Sequence, residues 1–354
     1  MTRRLLRSPI VDLLLGPHGV DRYLELIKPA MTVAEARAEV VSARRQTARS
    51  VTLSLRANSA WEGFTAGQFV RVGIEIDGVR RTRTYSPAAS QHAQGRELEL
   101  TVSEHPGGLV SGQLPSLATP GTVLHLSNAQ GEFVLPERRP QRVILISGGS
   151  GITPVMSMLR TLLDEDHPGE IVFRHFARTR ADWLYAPEVR ALASGRRGFD
   201  VHYSCTREGA REHLTASALG DLDASCWGAV CGPAQLIAAA QEAWEQRGGT
   251  QSQLLTETFT PPSLSVTGEA ASGTLRFLRS GQSTPLSTGT LLEQAEAAGL
   301  SPEFGCRMGI CHTCTCRKSA GSVRNLRSGE VSDEEDEDIQ LCISAPVGDV
   351  ALEL

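Results

Sequence analysis

The placement of the cysteines restricts the fold of this chain more than any other feature of the sequence. The chain has 8 Cys and none before Cys205; Cys306, Cys311 and Cys314 follow the spacing C-x4-C-x2-C, and Cys342 stands alone further on. Thiols spaced so closely predict a metal site rather than a disulfide framework. This spacing, with a distant fourth cysteine, is the ligand set of a [2Fe-2S] cluster. Zinc is the alternative, although structural zinc sites usually pair two short cysteine or histidine knuckles.

Residues 275–354 resemble plant-type ferredoxins in the glycine-rich loop GCRMGICHTC and in the fourth cysteine, which follows an acidic segment expected to be helical. The resemblance implies an α+β (β-grasp) ferredoxin domain. A fifth cysteine, Cys316, is then expected to be a bystander, with exchange for a neighbouring ligand as the alternative, and His312 is expected to be a loop residue. The cluster ligands that the resemblance implies are Cys306, Cys311, Cys314 and Cys342.

Length and charge bound the rest of the organisation. The 354 residues suggest two or three domains. With 35 basic and 40 acidic side chains, a net charge of -5, the chain lacks the basic surface of a bulk nucleic-acid binder. Residues 264–354 carry seven basic and thirteen acidic side chains, whereas the rest of the chain is nearly neutral. This asymmetry predicts a separate C-terminal module with its own partner.

The start of the chain does not have the pattern of a targeting segment. Its apolar stretch is short, is interrupted by Asp12 and lacks a small-residue cleavage site. No run approaches the roughly 18 consecutive apolar residues of a membrane-spanning helix. We therefore expect a cytoplasmic protein without a membrane span.

Hydrophobic periodicity divides the chain before the cysteine module. Residues 1–38 have helical apolar spacing interrupted at Gly16-Pro17 and Lys28-Pro29, which predicts two short helices. Residues 39–140 contain short runs of alternating apolar residues with glycine and proline between them, which predicts a small antiparallel β-barrel.

The pattern changes after residue 140. Residues 143–146 form a continuous apolar run, typical of a strand buried on both faces, and a glycine-rich turn and a helical pattern follow. Further apolar runs alternate with helical segments, so residues 141–262 are predicted to form an α/β domain with a parallel sheet. Proline and serine after Thr260 mark the next boundary, which leaves residues 263–354 for the cysteine module.

Two short motifs lie in the predicted barrel. Arg83-Thr84-Tyr85-Ser86 ends a strand; an arginine there can bind phosphate and the tyrosine can cover a flat ring, although a surface arginine on a turn is the structural alternative. Residues 106–111, PGGLVS, follow another strand and open a helix, where exposed backbone N–H groups can bind an anion.

A third motif, GGSGITP at residues 148–154, opens the helix after the buried strand. It is not the G-x-G-x-x-G pattern, because Pro154 stands where the third glycine would be. A proline suits the first helical position, and the glycines let a pyrophosphate approach the helix N-terminus.

In this order, the motifs resemble the ferredoxin-NADP reductase superfamily, in the arrangement of phenylacetate-oxygenase-type and stearoyl-CoA desaturase reductases. The resemblance covers about residues 40–354. It implies a multi-domain chain with an antiparallel β-barrel for FAD, a parallel α/β domain for NAD(P)H and a [2Fe-2S] ferredoxin domain. Ser103, Glu104 and His105 stand where the family often has a basic residue, so FMN remains the alternative to FAD.

The resemblance also implies roles for single residues. The arginine pairs with flavin phosphate, the tyrosine packs on the isoalloxazine, the serine lies near flavin N5, and the PGGLVS motif binds flavin phosphate. The implied flavin contacts are Arg83, Thr84, Tyr85, Ser86, Gly108, Leu109, Val110 and Ser111. The implied nicotinamide-nucleotide contacts are Gly148, Gly149, Gly151, Thr153, Pro154, Arg178, Cys231, Gly232, Pro233 and Phe259.

Ser86, Cys231 and Glu257 are the candidate catalytic residues. Cys231 begins a C-G-P motif and Glu257 begins E-T-F, both of which the family places at the flavin–nicotinamide junction. From residue chemistry alone, Cys231 would be a buried core cysteine. The preference for the pyridine nucleotide depends on the end of the second α/β strand, where no acid precedes Asp182, so Arg178 favours NADPH over NADH.

The implied function is an NAD(P)H:acceptor oxidoreductase that passes electrons from NADPH through FAD and the cluster to a terminal oxygenase. A fatty acyl desaturase is the first expectation for the acceptor, with possible membrane contact through it. The reductase of an aromatic-ring or haem oxygenase system is the alternative, and a non-catalytic iron–sulfur carrier is the second. The acidic residues 333–338 are either a solvated face or a docking surface. Residues 1–38 are expected to pack on the flavin domain, with contact to the partner or to a membrane surface as the alternatives.

Overall fold

The computed structural model describes residues 19–76, 79–105, 108–259, 272–305, 307, 309 and 312–354. It divides into two compact units, Met1–Phe259 and Thr260–Leu354. Outside the described residues lie the first predicted helix and two of the predicted cluster ligands, Cys306 and Cys311.

An antiparallel sheet forms the N-terminal part of the first unit. Its strands lie in the order β4-β3-β6-β1-β2-β5, and an isolated bridge between Pro87 and Leu100 brings the two edges together, which confirms the antiparallel barrel. Alternation places one face in the core: Val51, Leu53 and Leu55 are 5%, 0% and 1% exposed. The strands are β1 (Arg37–Thr47), β2 (Ser50–Ala57), β3 (Val70–Ile76), β4 (Val79–Tyr85), β5 (Glu97–Ser103) and β6 (Val123–Leu126).

Two helices accompany the barrel, α1 (Gly19–Ile27) and α2 (Leu109–Leu117). The segment after α1 is held to the barrel because Asn58 Nδ2 donates to the carbonyl of Ala30 at 3.2 Å and to Thr32 Oγ1 at 2.7 Å. The described part of the N-terminal extension therefore packs on the barrel, as expected.

A parallel sheet forms the rest of the first unit, in the order β11-β10-β7-β8-β9. The apolar run at residues 143–146 is buried on both faces, with Val143 and Leu145 in one core cluster and Ile144 and Ile146 in another. The elements are β7 (Arg142–Gly148), α3 (Ile152–Asp164), β8 (Glu170–Ala177), α4 (Ala186–Ser194), β9 (Phe199–Cys205), β10 (Cys226–Cys231), α5 (Ala234–Gln246) and β11 (Leu254–Glu257).

The second unit is a mixed sheet in the order β13-β12-β17-β14-β15, with β16 paired to β14 and a short helix beside it. This agrees with the predicted α+β ferredoxin domain. Its elements are β12 (Thr274–Phe277), β13 (Gln282–Pro285), α6 (Leu291–Ala297), β14 (Thr315–Asn325), β15 (Val331–Ser332), β16 (Glu337–Gln340) and β17 (Ser344–Leu352).

The acidic segment was expected to be helical, and this prediction is wrong. Residues 337–340 form β16, which pairs with β14. The buried amine of Lys318 holds the acidic segment against β14. Its Nζ donates to the carbonyl of Gly321 at 2.8 Å and to the carbonyl of Glu334, and it lies 3.4 Å from Glu337 Oε2. Satisfying a buried charge outweighs local helix propensity here.

Candidate functional site

The end of β4 carries the predicted flavin residues. Ser86 is 2% exposed, and its Oγ has no hydrogen-bond partner among the residues that the structure describes. Leaving a buried hydroxyl unpaired costs about 1–3 kcal/mol, so such a group is expected to have a partner when the site is filled. A flavin edge with its ring nitrogens fits this position, and the role of Ser86 stays a prediction that this geometry supports.

Tyr85 lies directly opposite Val70 on β3 and packs against the barrel core. Burial raises the pKa of Tyr85 to about 12, although the charge of Arg83 opposes the shift. The phenol therefore stays neutral and offers an uncharged aromatic face, which suits a flat heteroaromatic ring.

The start of α2 carries the predicted flavin-phosphate residues. Gly108 is the N-cap, and the hydroxyl of Ser111 accepts a hydrogen bond from the backbone N–H of His105 at 3.3 Å. A Cβ at Gly108 would lie 2.3 Å from Ser111 Oγ, so a side chain there would displace that hydroxyl. Val110 points into the core at 1% exposure, which leaves its backbone N–H as the group that can face an anion.

The glycine-rich turn before α3 packs backbone to backbone against the C-G-P turn. A Cβ at Gly151 would lie 2.3 Å from the carbonyl oxygen of Cys231, and one at Gly148 would lie 2.8 Å from Pro233 Cδ. Gly149 adopts φ +55°. Pro154 is the third residue of α3, not the first as predicted; it is tolerated because the first turn needs no intrahelical donor at that position.

A row of chemically active side chains crosses the C-terminal edge of the parallel sheet. Ser147 pairs in register with His175 on β8 and with Cys231 on β10, and Cys231 pairs with Glu257 on β11. Side chains at paired positions share a face of the sheet, so the four lie side by side. Ser147 Oγ lies 2.9 Å from His175 Nδ1. Ser147 and His175 are not among the residues predicted from motifs, because only the strand register aligns them with Cys231.

Burial keeps this row uncharged. It raises the pKa of Glu257 to about 8, and the Glu257 Oε2 atom has no partner among the described residues. Burial, and the nearby Glu257 carboxyl, raise the pKa of the Cys231 thiol well above its usual value. Burial lowers the pKa of His175 to about 3. At neutral pH, acid, thiol and imidazole are therefore all neutral.

The arginines in β8 and directly after it divide into structural and exposed ones. Arg174 is buried, pairs with Asp200 and donates to the carbonyl of Ala218 at 3.0 Å, so it is a structural residue. Arg178 is exposed at the end of the strand, and its carbonyl accepts from the backbone N–H of Arg207 at 2.9 Å. The structure thus brings a second basic residue, Arg207, beside the predicted nucleotide contact.

The loop that carries the predicted cluster ligands has an unusual backbone. Arg307, Gly309 and His312 have φ values of 56°, 73° and 54°. The carbonyl of Gly309 accepts from Gln340 Nε2 at 3.2 Å, which ties the loop to β16. Left-handed backbone at these three described positions bends the loop sharply, and sharp turns of this kind can expose backbone N–H groups to an anionic group such as the sulfurs of an iron–sulfur cluster.

Among the predicted ligands that the structure describes, Cys314 and Cys342 are both buried at 3% exposure. Cys316 lies in β14 within the core of this unit. Burial raises the pKa of Cys316 to about 11, which keeps it a thiol. The expectation that Cys316 is a bystander gains support from this placement.

Residues in three segments match known protein families. Residues 37–135 match the Oxidoreductase FAD-binding domain, residues 145–242 the Oxidoreductase NAD-binding domain, and residues 278–347 the 2Fe-2S iron-sulfur cluster binding domain. The three predicted cofactor classes and the order of their domains are confirmed. None of the helices in the described ranges has the length and apolar content needed to cross a bilayer.

The chain is similar over most of its length to proteins named as oxidoreductases and reductases. An NADPH oxidoreductase of Mycobacterium tuberculosis is 36% identical over 94% of this chain and 88% of its own. The glycine betaine monooxygenase reductase subunit of Pseudomonas aeruginosa is 31% identical over 82% of this chain and 87% of its own. Phthalate dioxygenase reductase shares the fold, with a TM-score of 0.64 at 21% identity over 90% of this chain and 97% of its own. The chain therefore belongs to the ferredoxin-NADP reductase superfamily, as an NAD(P)H:acceptor oxidoreductase with FAD-binding, NAD-binding and C-terminal [2Fe-2S] domains.

Proposed function

We propose that this protein is the reductase of a terminal monooxygenase and that it takes its electrons from NADPH. The observation that carries the proposal is the presence in one chain of the three cofactor domains together with an unpaired buried hydroxyl at Ser86 and an unpaired buried carboxyl oxygen at Glu257 among the described residues. When bound, a flavin supplies the conversion of a two-electron hydride into single electrons, and a [2Fe-2S] cluster carries those electrons singly.

In this proposal, the residues of the chain position and shield these groups. Ser86 and Tyr85 hold the flavin ring, and the turn between Gly148 and Gly151 receives the pyrophosphate of the dinucleotide. The neutral Cys231 and Glu257 border the nicotinamide. Cys306, Cys311, Cys314 and Cys342 ligate the cluster.

A monooxygenase is a better-supported acceptor than the desaturase expected from the sequence. The relatives named above include a glycine betaine monooxygenase reductase subunit. The reductase component of propane 2-monooxygenase from Rhodococcus jostii is 25% identical over 65% of this chain and 65% of its own. These names favour the alternative acceptor class.

The preference for NADPH is supported by Arg178 after β8, by Arg207 after β9, and by the contacts of Asp182, the first acid after Arg178 in the sequence. Asp182 accepts from Thr179 Oγ1 at 2.9 Å and lies 3.2 Å from Arg49 Nη2, so it is committed to protein contacts. We expect Arg178→Ala to lower kcat/KM for NADPH about tenfold relative to NADH, since the arginine contacts only the extra phosphate. Exposed Arg197 is the control, and Arg197→Ala should leave the ratio unchanged.

An anaerobic absorbance titration with NADPH tests the main proposal. Flavin and iron–sulfur bands should bleach together in the wild-type protein. In Cys311→Ser, NADPH should still reduce a two-electron dye, whereas a one-electron protein acceptor should no longer be reduced. Loss of both activities in a folded variant that retains its flavin would contradict the assignment.

A further inference from the structure

Arg160 lies on α3 and bonds to three separate segments of the first unit. Its side chain is 19% exposed. Nε and Nη2 donate to the two carboxylate oxygens of Glu188 at 2.8 and 2.9 Å. Nη1 donates to the carbonyl of Ala88 at 2.7 Å and to Glu99 Oε1 at 2.9 Å. One guanidinium therefore joins α4, the segment after β4, and β5.

These partners lie on both sides of the junction between the parallel sheet and the barrel. Glu188 belongs to α4, beside α3, whereas Ala88 and Glu99 belong to the barrel. Ala88 is fully buried and follows Ser86 by two residues, and its backbone N–H donates to the carbonyl of Glu99 at 2.7 Å. Arg160 thus binds the barrel at Ala88, two residues after Ser86, the candidate flavin-binding serine.

The other end of α3 is the turn that packs against Cys231. The helix begins at Ile152, directly after Gly151, and Arg160 is its ninth residue. A helix rises about 1.5 Å per residue, so about 12 Å of rigid backbone separates the turn from the arginine. The α3 helix is therefore a rigid connection between the candidate dinucleotide-binding turn and Arg160, which binds the segment after Ser86.

We propose that Arg160 is a positioning residue, which sets the distance between the dinucleotide turn and the strand end at Ser86 and hence the spacing of nicotinamide and flavin. This rests on the proposed function, because it concerns the transfer from NADPH to flavin. Errors of about 1 Å in such a geometry are enough to slow a transfer step strongly.

Other polar contacts cross the same junction. The backbone N–H of Gln91 donates to Thr161 Oγ1 at 3.1 Å, and His92 Nε2 lies 2.8 Å from Glu165 Oε1, with the His92 side chain 48% exposed. The ion pair between Arg49 and Asp182 spans 3.2 Å, and the Arg49 side chain is 52% exposed. The Tyr185 hydroxyl bonds to Thr101 Oγ1 without a charge. Burial opposes the charge of Arg160, but Glu99 and Glu188 outweigh it and hold the pKa of Arg160 above its usual value. Arg160 thus combines a partly buried charge with two acceptors on the barrel, the carbonyl of Ala88 and Glu99 Oε1.

The test compares Arg160→Met with Arg142→Met. Arg142 is matched in burial, at 20% exposure, and its Nη2 donates to the carbonyl of Leu219 at 2.9 Å, within the parallel-sheet domain and at the opposite edge of the sheet. In Arg160→Met, the limiting rate of flavin reduction at saturating NADPH should fall at least tenfold, with flavin content and half-saturating NADPH within about twofold of wild type. Arg142→Met should keep the wild-type rate even if it unfolds at a lower temperature.

Two further readouts separate positioning from general destabilisation. Backbone hydrogen exchange in residues 86–93 of the resting, flavin-loaded protein should rise in Arg160→Met and not in Arg142→Met. Arg160→Lys, which can reach one barrel acceptor but not all three groups, should recover part of the rate. If Arg160→Met does not fold, Glu99→Gln takes its place, because it weakens the barrel contact and leaves Glu188 paired.

An Arg160→Met protein that is reduced at the wild-type rate would overturn the inference, and so would equal slowing in Arg142→Met. A change confined to half-saturating NADPH would overturn it as well. If the wild-type flavin is not reduced by NADPH at all, the proposed function fails instead.

Discussion

We expect Gly151→Ala to displace the candidate dinucleotide-binding turn while the protein retains its flavin. A Cβ at this position would lie 2.3 Å from the carbonyl oxygen and 2.6 Å from the carbonyl carbon of Cys231. That is about 1 Å closer than an ordinary contact. Both obstructing atoms belong to the backbone of β10, so no side-chain rotation can relieve the clash.

The structure sets the expected magnitude. Forcing a methyl group into a closed contact costs about 1–3 kcal/mol of stability. A displacement of about 1 Å at the turn can slow the reaction on the order of 100-fold. We therefore expect Gly151→Ala to retain flavin but to show a large loss in flavin reduction by NADPH, measured by anaerobic stopped-flow absorbance.

Gly248→Ala is the control. Gly248 has φ +81°, and no atom lies within 4 Å of the place that a Cβ would take, so alanine there costs only the left-handed backbone penalty, about 1–2 kcal/mol. It should lose comparable stability and keep the wild-type rate. Wild-type reduction in Gly151→Ala, or equal slowing in both variants, would refute the steric reasoning.

Two further predictions concern buried titratable groups. Because the fold raises the pKa of Glu257 from 4.5 to about 8, the folded protein binds this proton more tightly than the unfolded chain, and stability should fall as pH rises between these values; Glu257→Gln should flatten that dependence in urea unfolding measured at pH 5 to 9. Cys316→Ser should keep the iron–sulfur absorbance and lose about 1–2 kcal/mol of stability, because a hydroxyl replaces a thiol in an apolar core; loss of the cluster would instead make Cys316 a ligand.

Strands with strict alternation could be predicted from the sequence because burial of one face dictates a period of two. Strand β7 could be predicted from its continuous apolar run, because residues 143–146 are all fully buried between two layers. The glycine motifs could also be predicted from the sequence, since a turn that packs against another backbone segment leaves no room for a side chain.

The acidic residues 333–338 could not be predicted in this way. Six consecutive acids suggest a solvated helix, yet a lysine fifteen positions earlier decides their conformation. Lys318 is fully buried on β14 and pairs with Glu337, which belongs to β16 opposite it. Local sequence propensity does not reflect a contact with a residue that is distant in the sequence.

The row at the edge of the parallel sheet has a consequence for its ligand. Its acid, thiol and imidazole are each neutral at neutral pH because burial disfavours every charged form. Oxidation converts the neutral nicotinamide ring into a cation. A neutral Glu257 carboxyl adds no charge–charge attraction to the binding of this cation, whereas an ionised Glu257 would attract it. In the proposed function, where Glu257 borders the nicotinamide, a neutral carboxyl does not strengthen binding of the oxidised nucleotide. NADP+ should therefore bind more tightly above pH 8 in the wild-type protein but not in Glu257→Gln.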